Sequence, residues 1–390
     1  MGSHLGNKSW LVIVLFSLLV FVVYFFTSPG HTPYNHFTLL ADSFLKGKLY
    51  IEGIYPWLEK VPIDEYRFYV TNPPMPAIIA LPFVYFFGKE FPQEYLAQMM
   101  GMGIVGLTII LSLKLTKSLK ISIWSGILIG LGSIVWFLSS IGSIWYIGQV
   151  ASVFFITWAL VEIKGKSRPI LIGALLGASF LSRSHMALTF PFIIFLNWDK
   201  FKKIDVFIKL MIGFIPFAAF GFTYNYLRFG NILDNGYNYI PDVDTSPWFP
   251  KGIWHPSYIP KNLRILFLEI PRFKNEFPYV LPSLGGMAIW LTSPAFLFSF
   301  FAPIKRLDSK LMWINIFITA FIVTSHGGTG FSQFGYRFAV DFYPFLIYLT
   351  ILGISERGGL KKIHWLLLIF SIIVNLWGVI WINKFNWTTW

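Results

Sequence analysis

The chain has 390 residues, 55% of them apolar, 19% aromatic and only 13% charged, with a mean hydropathy of +0.63, a balance that excludes a soluble globular protein. The net charge of +13 does not indicate nucleic acid, because most of it sits in short loops between apolar runs and no RNP-like or helix-turn-helix pattern accompanies it. The absence of cysteine excludes disulfides, thiolate metal sites and cysteine nucleophiles.

Apolar runs able to cross about 30 Å of hydrocarbon place spans at residues 10–27, 95–113, 121–140, 146–163, 168–183, 186–198, 204–224, 285–303, 309–325, 338–355 and 363–383. The expectation is an all-α, polytopic membrane protein of about eleven transmembrane helices with juxtamembrane helices outside. The first run lacks a small-residue cleavage site and reads as a retained helix, not a signal peptide. Residues 1–4 read as an expression remnant. The segment 73–88 is apolar too, but Pro73, Pro74, Pro76 and Pro82 suit a broken or interfacial helix. With it kept out of the span count, Lys114/Lys117/Lys120, Lys164/Lys166/Arg168, Lys200/Lys202/Lys203, Lys305/Arg306 and Arg357/Lys361/Lys362 share one side with Lys8. The positive-inside rule makes that side, and the N-terminus, cytoplasmic in what reads as a prokaryotic cytoplasmic membrane. The short spans on either side of residues 182–185 read as a tight hairpin whose polar tip reaches the outer surface. The whole chain, 1–390, reads as one transmembrane domain in which the outer segments 28–94 and 225–284 cap an embedded cavity.

Polar residues that topology does not explain converge on the outer face. Asp42 lies in YNHFTLLADSFLKGKLY, where Phe37, Leu40, Phe44 and Leu45 share one side of an amphipathic helix; it projects either to a site or to solvent. Glu52, Glu59, Asp64 and Glu65 follow, either as assistants to catalysis or as solvated loop acids. Arg183 and His185 stand between two apolar half-spans, where an arginine anchors a lipid phosphate or snorkels at a boundary. Arg228, Lys261 and Arg264 add cations to the same face. Arg337 and Asp341, four apart at the start of a span, form either a structural ion pair or a ligand pair. Such a group of cations suits an anionic lipid head group or a pyrophosphate, which guanidinium binds in bidentate fashion. Tyr237, Tyr239, Trp248, Trp254 and Tyr258 fit an interfacial belt or stacking on a sugar. The run SHGGTGF at 325–331 follows no strand and reads as a flexible connection or a backbone donor site, not a nucleotide loop. Walker, Rossmann, HExxH and GxSxG patterns are absent, and the scattered histidines give no metal ligand set. No cofactor is expected, with a divalent metal left open.

Five stretches in order carry a resemblance: HFTLLADSFLKGKLYIE (36–52), NPPMPAIIALPFVYFFG (72–88), GALLGASFLSRSHMALTFPF (173–192), TYNYLRFGNILDNGYN (223–238) and QFGYRFAVDFYPF (333–345). Together the sequence resembles the GT-C superfamily of membrane glycosyltransferases, which includes protein O-mannosyltransferases and aminoarabinose transferases. The resemblance implies inverting transfer of a sugar from a polyprenyl-phosphate donor to a hydroxyl of a glycan, lipid or protein acceptor, at the extracytoplasmic face and among membrane lipids. It makes Asp42 the general base, with Glu52, Asp64 and Glu65 as substitutes. Arg183, His185, Arg228, Lys261 and Arg337 become phosphate or substrate ligands, and Asp341 orients Arg337 or bonds a sugar hydroxyl. One departure stands out: family members carry an acid directly after the first span, where this chain has Tyr34-Asn35-His36. The rival readings are a flippase or transporter of lipid-linked sugars and a non-catalytic lipid-binding scaffold.

Overall fold

A computed structural model describes residues 7–56, 59–243, 245–330 and 332–387, without the side chains of residues 7–9. The expectations for residues 1–4 and for the charge of Lys8 lie outside that set. In chain order, α1 (Asn7–Thr27) and α2 (His36–Leu45) precede strands β1 (Ile51–Glu52), β2 (Val61–Pro62) and β3 (Arg67–Tyr69). The strands pair antiparallel in the order β1-β3-β2, with Ile51 opposite Phe68 and Val61 opposite Tyr69. Next come α3 (Met75–Phe87), α4 (Gln93–Thr116), α5 (Leu119–Leu131), α6 (Val135–Ile141) and α7 (Ile144–Ile163). Then α8 (Pro169–Phe180), a 3₁₀ segment (Ser184–Thr189), α9 (Phe190–Phe195) and α10 (Trp198–Phe201) lead into α11 (Ile204–Phe229). After α12 (Ile259–Leu268), the short pair β4 (Arg272–Phe273) and β5 (Val280–Leu281) comes before α13 (Ile289–Thr292) and a 3₁₀ segment (Pro294–Phe301). The chain closes with α14 (Leu307–Thr324), a 3₁₀ segment (Arg337–Phe342), α15 (Tyr343–Glu356) and α16 (Lys362–Asn383).

The fold is mainly helical, with one correction: both outer segments contain small sheets that the all-α expectation omitted. Among the described residues, seven helices are long and apolar enough to span a membrane, and an eighth span forms if α5 and α6, bent by 54°, count as one. Eleven were expected. The shortfall lies at 168–183, 186–198 and 285–303, which form elements shorter than an ordinary spanning helix; the 12 residues of α8 rise only about 18 Å. The 13-residue α3 is short for the same reason. It starts after Pro73-Pro74 and leaves Tyr85, Phe86 and Phe87 exposed at its end.

Burial sorts the helices. The stretch Arg337–Glu356 is buried almost throughout and forms the centre, whereas α1 and α16 turn strings of Leu, Phe and Ile outward as lipid-facing helices do. Where α8 crosses α11, a Cβ on Gly173 would strike the carbonyl of Leu210, and one on Gly213 the carbonyl of Ile170. Glycine lets these two backbones touch, a familiar device where helices pack without a hydrophobic drive.

The basic loops meet at one end of the bundle. Lys164 Nζ lies 3.8 Å from Asp308, Arg306 bridges to Glu356 at 2.6 Å, and Lys200 donates to the carbonyl of Ser167 at 2.6 Å. The last contact brings the two feet of the α8–α10 hairpin together and sends residues 182–185 to the far end. There α7 begins, α14 ends and the Arg337 segment starts.

Candidate active site

At that far end lies a cavity of about 610 Å³. Segment 28–94 supplies Glu59 and Asn72 to its wall, and segment 225–284 supplies Tyr237, Asp242, Trp248 and Trp254. The helix ends contribute Trp145, Arg183, His185, His326 and Arg337. From the glycine-rich run, Gly328, Thr329 and Gly330 also line it, while Phe331 is outside the described residues. Gly330 has φ +92°, and a Cβ there would sit 2.9 Å from Arg337 Nε, so the loop's backbone passes close to the guanidinium.

Arg337 is only 6% exposed. Its Nη1 donates to the carbonyl of Trp145 and to Gln149 Oε1, both at 3.0 Å, and Gln149 Nε2 returns a bond to the Arg337 carbonyl. Its Nε, although buried, finds no partner among the described residues. A buried guanidinium with a donor to spare is a natural anion ligand.

The Arg337–Asp341 pair expected from the sequence does not form. Asp341 Oδ2 instead accepts from Arg183 Nη2 at 2.8 Å and Nε at 3.2 Å, and lies 3.1 Å from His185 Nε2. Pro344 explains the change. It has no N–H for the carbonyl of Val340 and its ring crowds that position, so residues 337–342 wind as 3₁₀ helix. With about three residues per turn, positions i and i+4 no longer stack. Asp341 thus neutralises Arg183, while Arg337 keeps its charge for the cavity.

The carboxylate on the cavity wall beside these cations is Glu59. Trp145 Nε1 donates to its Oε2 at 2.7 Å, and the His36 ring bonds its backbone carbonyl at 3.1 Å. Tyr34 packs against Trp145 with ring centres 4.6 Å apart. His36 therefore braces the Glu59 segment directly, and Tyr34 braces it through Trp145. Asp242 is the second carboxylate on the wall. Burial, and next the Glu59 charge, push the Tyr237 phenol up to about 12, so it remains a proton donor at neutral pH. Burial pulls His326 down to about 4, leaving a neutral ring against Trp254, Phe249 and Phe338.

The other residues singled out from the sequence lie elsewhere. Asp42 pairs with Lys46 at 2.6 Å and Glu52 with Lys48 at 2.6 Å. Asp64 is held by Arg67 at 2.7 Å, a hydrogen bond that lowers its pKa, and Glu65 is exposed. None of the four lines the cavity. Arg228 is buried against Tyr224 and bonds the carbonyls of Val70 and Tyr224, fastening α11 to the outer segment. Lys261 stands outside the wall, 5.1 Å from the centre of the Trp248 ring. Reading the sequence named Glu59 among four outer acids without setting it apart from the others, and did not single out Asp242; nothing local marks either as part of the cavity wall. Among the described residues, no three His, Asp or Glu side chains gather as a metal site.

The fold agrees with the resemblance read from the sequence. In particular it is similar to ArnT from Cupriavidus metallidurans bound to undecaprenyl phosphate, with TM-score 0.57 and 12% identity over 95% of this chain and 64% of that one. The apo state of the same protein gives TM-score 0.56 and 12% identity over 93% and 62%. An oligosaccharyltransferase from Archaeoglobus fulgidus aligns at TM-score 0.48 and 11% identity over 98% and 56%, too low to argue from. The chain thus spans less than two thirds of ArnT, and at this identity the likeness is one of fold. No family model matches the sequence, and no curated protein does.

Proposed function

We propose that this integral membrane protein is a glycosyltransferase that moves a sugar from a polyprenyl-phosphate donor to an acceptor hydroxyl, by inverting transfer at the extracytoplasmic face. One observation carries the reading: a single cavity brings the carboxylate of Glu59 together with the under-bonded, buried guanidinium of Arg337, both through Trp145. The acceptor oxygen attacks the anomeric carbon as its proton passes to Glu59. The bond from that carbon to the phosphate oxygen breaks, and its electron pair leaves with the lipid phosphate. Arg337 and Arg183 stabilise the growing negative charge, with Asp341 and His185 fixing Arg183. Glu59 replaces Asp42 as the assigned base, and Arg228 and Lys261 leave the ligand set. Trp248, Trp254 and Tyr237 form the face against which the sugar and its glycan, lipid or protein acceptor pack. On this reading α8, the Ser184–Phe195 pair and residues 289–301 are short crossings that bring the spans to eleven, and segments 28–94 and 225–284 cap the cavity.

Charge gathered at the two ends of the bundle, not strung through its middle, disfavours a flippase. The test is binding of undecaprenyl phosphate to wild type and Arg337→Gln in detergent. Retention at least tenfold weaker in the variant is expected; equal retention contradicts the phosphate role.

A further inference from the structure

A second cavity, about 420 Å³, lies between the end of α1 and the start of α4, separate from the site above. Its floor is built by one helical face. Glu94, in the first turn of α4, is 3% exposed, and Gln98, one turn further on the same side, is fully buried. Neither amide atom of Gln98 has a partner among the described residues, and Glu94 Oε2 accepts no hydrogen bond. His31 Nδ1, half-exposed at the mouth, is 3.6 Å from that oxygen. Phe25 and Tyr95 form a wall, with ring centres 6.0 Å apart. Phe25 and its neighbour Phe26 are exposed on the outer side of α1, so the opening borders the surface that faces lipid. Just beyond, Lys384 donates to the carbonyl of the lining residue Ser28 at 2.5 Å, which puts an ammonium beside the mouth.

We propose that this cavity binds the protonated primary amine of an ethanolamine-type head group. Glu94 and Gln98 offer a carboxylate oxygen and an amide oxygen that lack donors, and a primary ammonium carries three N–H groups to fill them. A quaternary ammonium has no N–H and relies on an aromatic cage, for which Phe25 and Tyr95 give only one wall. The charge order also fits a zwitterionic lipid: the acid lies inside, while His31 and Lys384 stand at the rim where the phosphate of the head group would lie. The same amine chemistry is offered by a lipid in the membrane and by a free amine in solution.

The test is native mass spectrometry of the purified protein with equimolar phosphatidylethanolamine and phosphatidylcholine of identical acyl chains, with free ethanolamine or magnesium chloride as competitors. Wild type is expected to retain the ethanolamine lipid at least fivefold over the choline lipid. Displacement by millimolar ethanolamine assigns recognition to the amine alone; resistance to it, with the lipid preference kept, assigns it to the whole lipid. Glu94→Gln and Gln98→Leu are expected to bring the two lipids to equal retention, provided that their size-exclusion profiles match wild type. Equal retention of both lipids by wild type overturns the proposal and needs no variant. Displacement by magnesium but not ethanolamine, or a lipid preference unchanged in a folded Glu94→Gln variant, overturns it as well.

Discussion

Arg337 donates to the backbone carbonyl of Trp145 at 3.0 Å, and the indole of the same Trp145 donates to Glu59 at 2.7 Å. One residue at the start of α7 therefore fixes both the cation and the carboxylate. Trp145→Phe keeps the ring and the backbone contact but deletes the N–H. A hydrogen bond to a charged group contributes about 1.5–3 kcal/mol, so kcat is expected to fall roughly ten- to a hundredfold. Donor affinity, which rests on Arg337, is expected to change little. Separate determination of kcat and KM checks this; equal losses in both would argue for general disruption.

The Arg183–Asp341 pair is buried on the carboxylate side and partly open on the other. Removing only Asp341 leaves a cation facing His185 without its counter-charge. Asp341→Ala is expected to destabilise the protein by about 3–5 kcal/mol and to misplace Arg183. The double variant Arg183→Gln/Asp341→Asn is expected to be more stable than Asp341→Ala alone. Thermal unfolding in detergent reads both, and additive losses would contradict the coupling.

Acid is expected to loosen the braced Glu59 loop. Burial lowers His36 from its ordinary 6.5 to about 4. Between those values the unfolded chain binds more protons than the folded one, so stability rises with pH across the window and is lost as pH falls from about 6.5 towards 4. At full loss the contribution of His36 is about 3 kcal/mol. Unfolding midpoints measured from pH 7.5 to 4.5 are expected to be flat above 6.5 and to decline below it, less steeply in His36→Gln. A midpoint that rises on acidification contradicts this.

Much of the architecture is legible in the sequence because the bilayer imposes one simple rule, long apolar runs punctuated by basic loops. That rule places the long helices, the common end of Lys164, Lys200 and Arg306, and the hairpin that lifts Arg183 to the far end. It fails where geometry overrides spacing. Arg337 and Asp341 look like a helical pair until Pro344 tightens their turn. Asp42 looks like the base because it lies on a helix near the first span, yet it pairs with Lys46 on the next turn and does not line the cavity. Glu59 is hidden because its contacts with His36 and Trp145 span 23 and 86 residues, and no local pattern encodes them. The strands around it are too short for alternation to reveal.

The most direct test is transfer of labelled sugar from polyprenyl-phosphate donors by purified protein, comparing wild type with Glu59→Gln, Arg337→Ala and Asp42→Asn. Turnover by wild type and Asp42→Asn, with loss of at least a hundredfold in Glu59→Gln and Arg337→Ala at unchanged monodispersity, is the expected result. Full activity in Glu59→Gln, or loss in Asp42→Asn alone, would contradict the assignment of the base. Tight binding of the donors without turnover by wild type would replace the transferase with a lipid-binding scaffold.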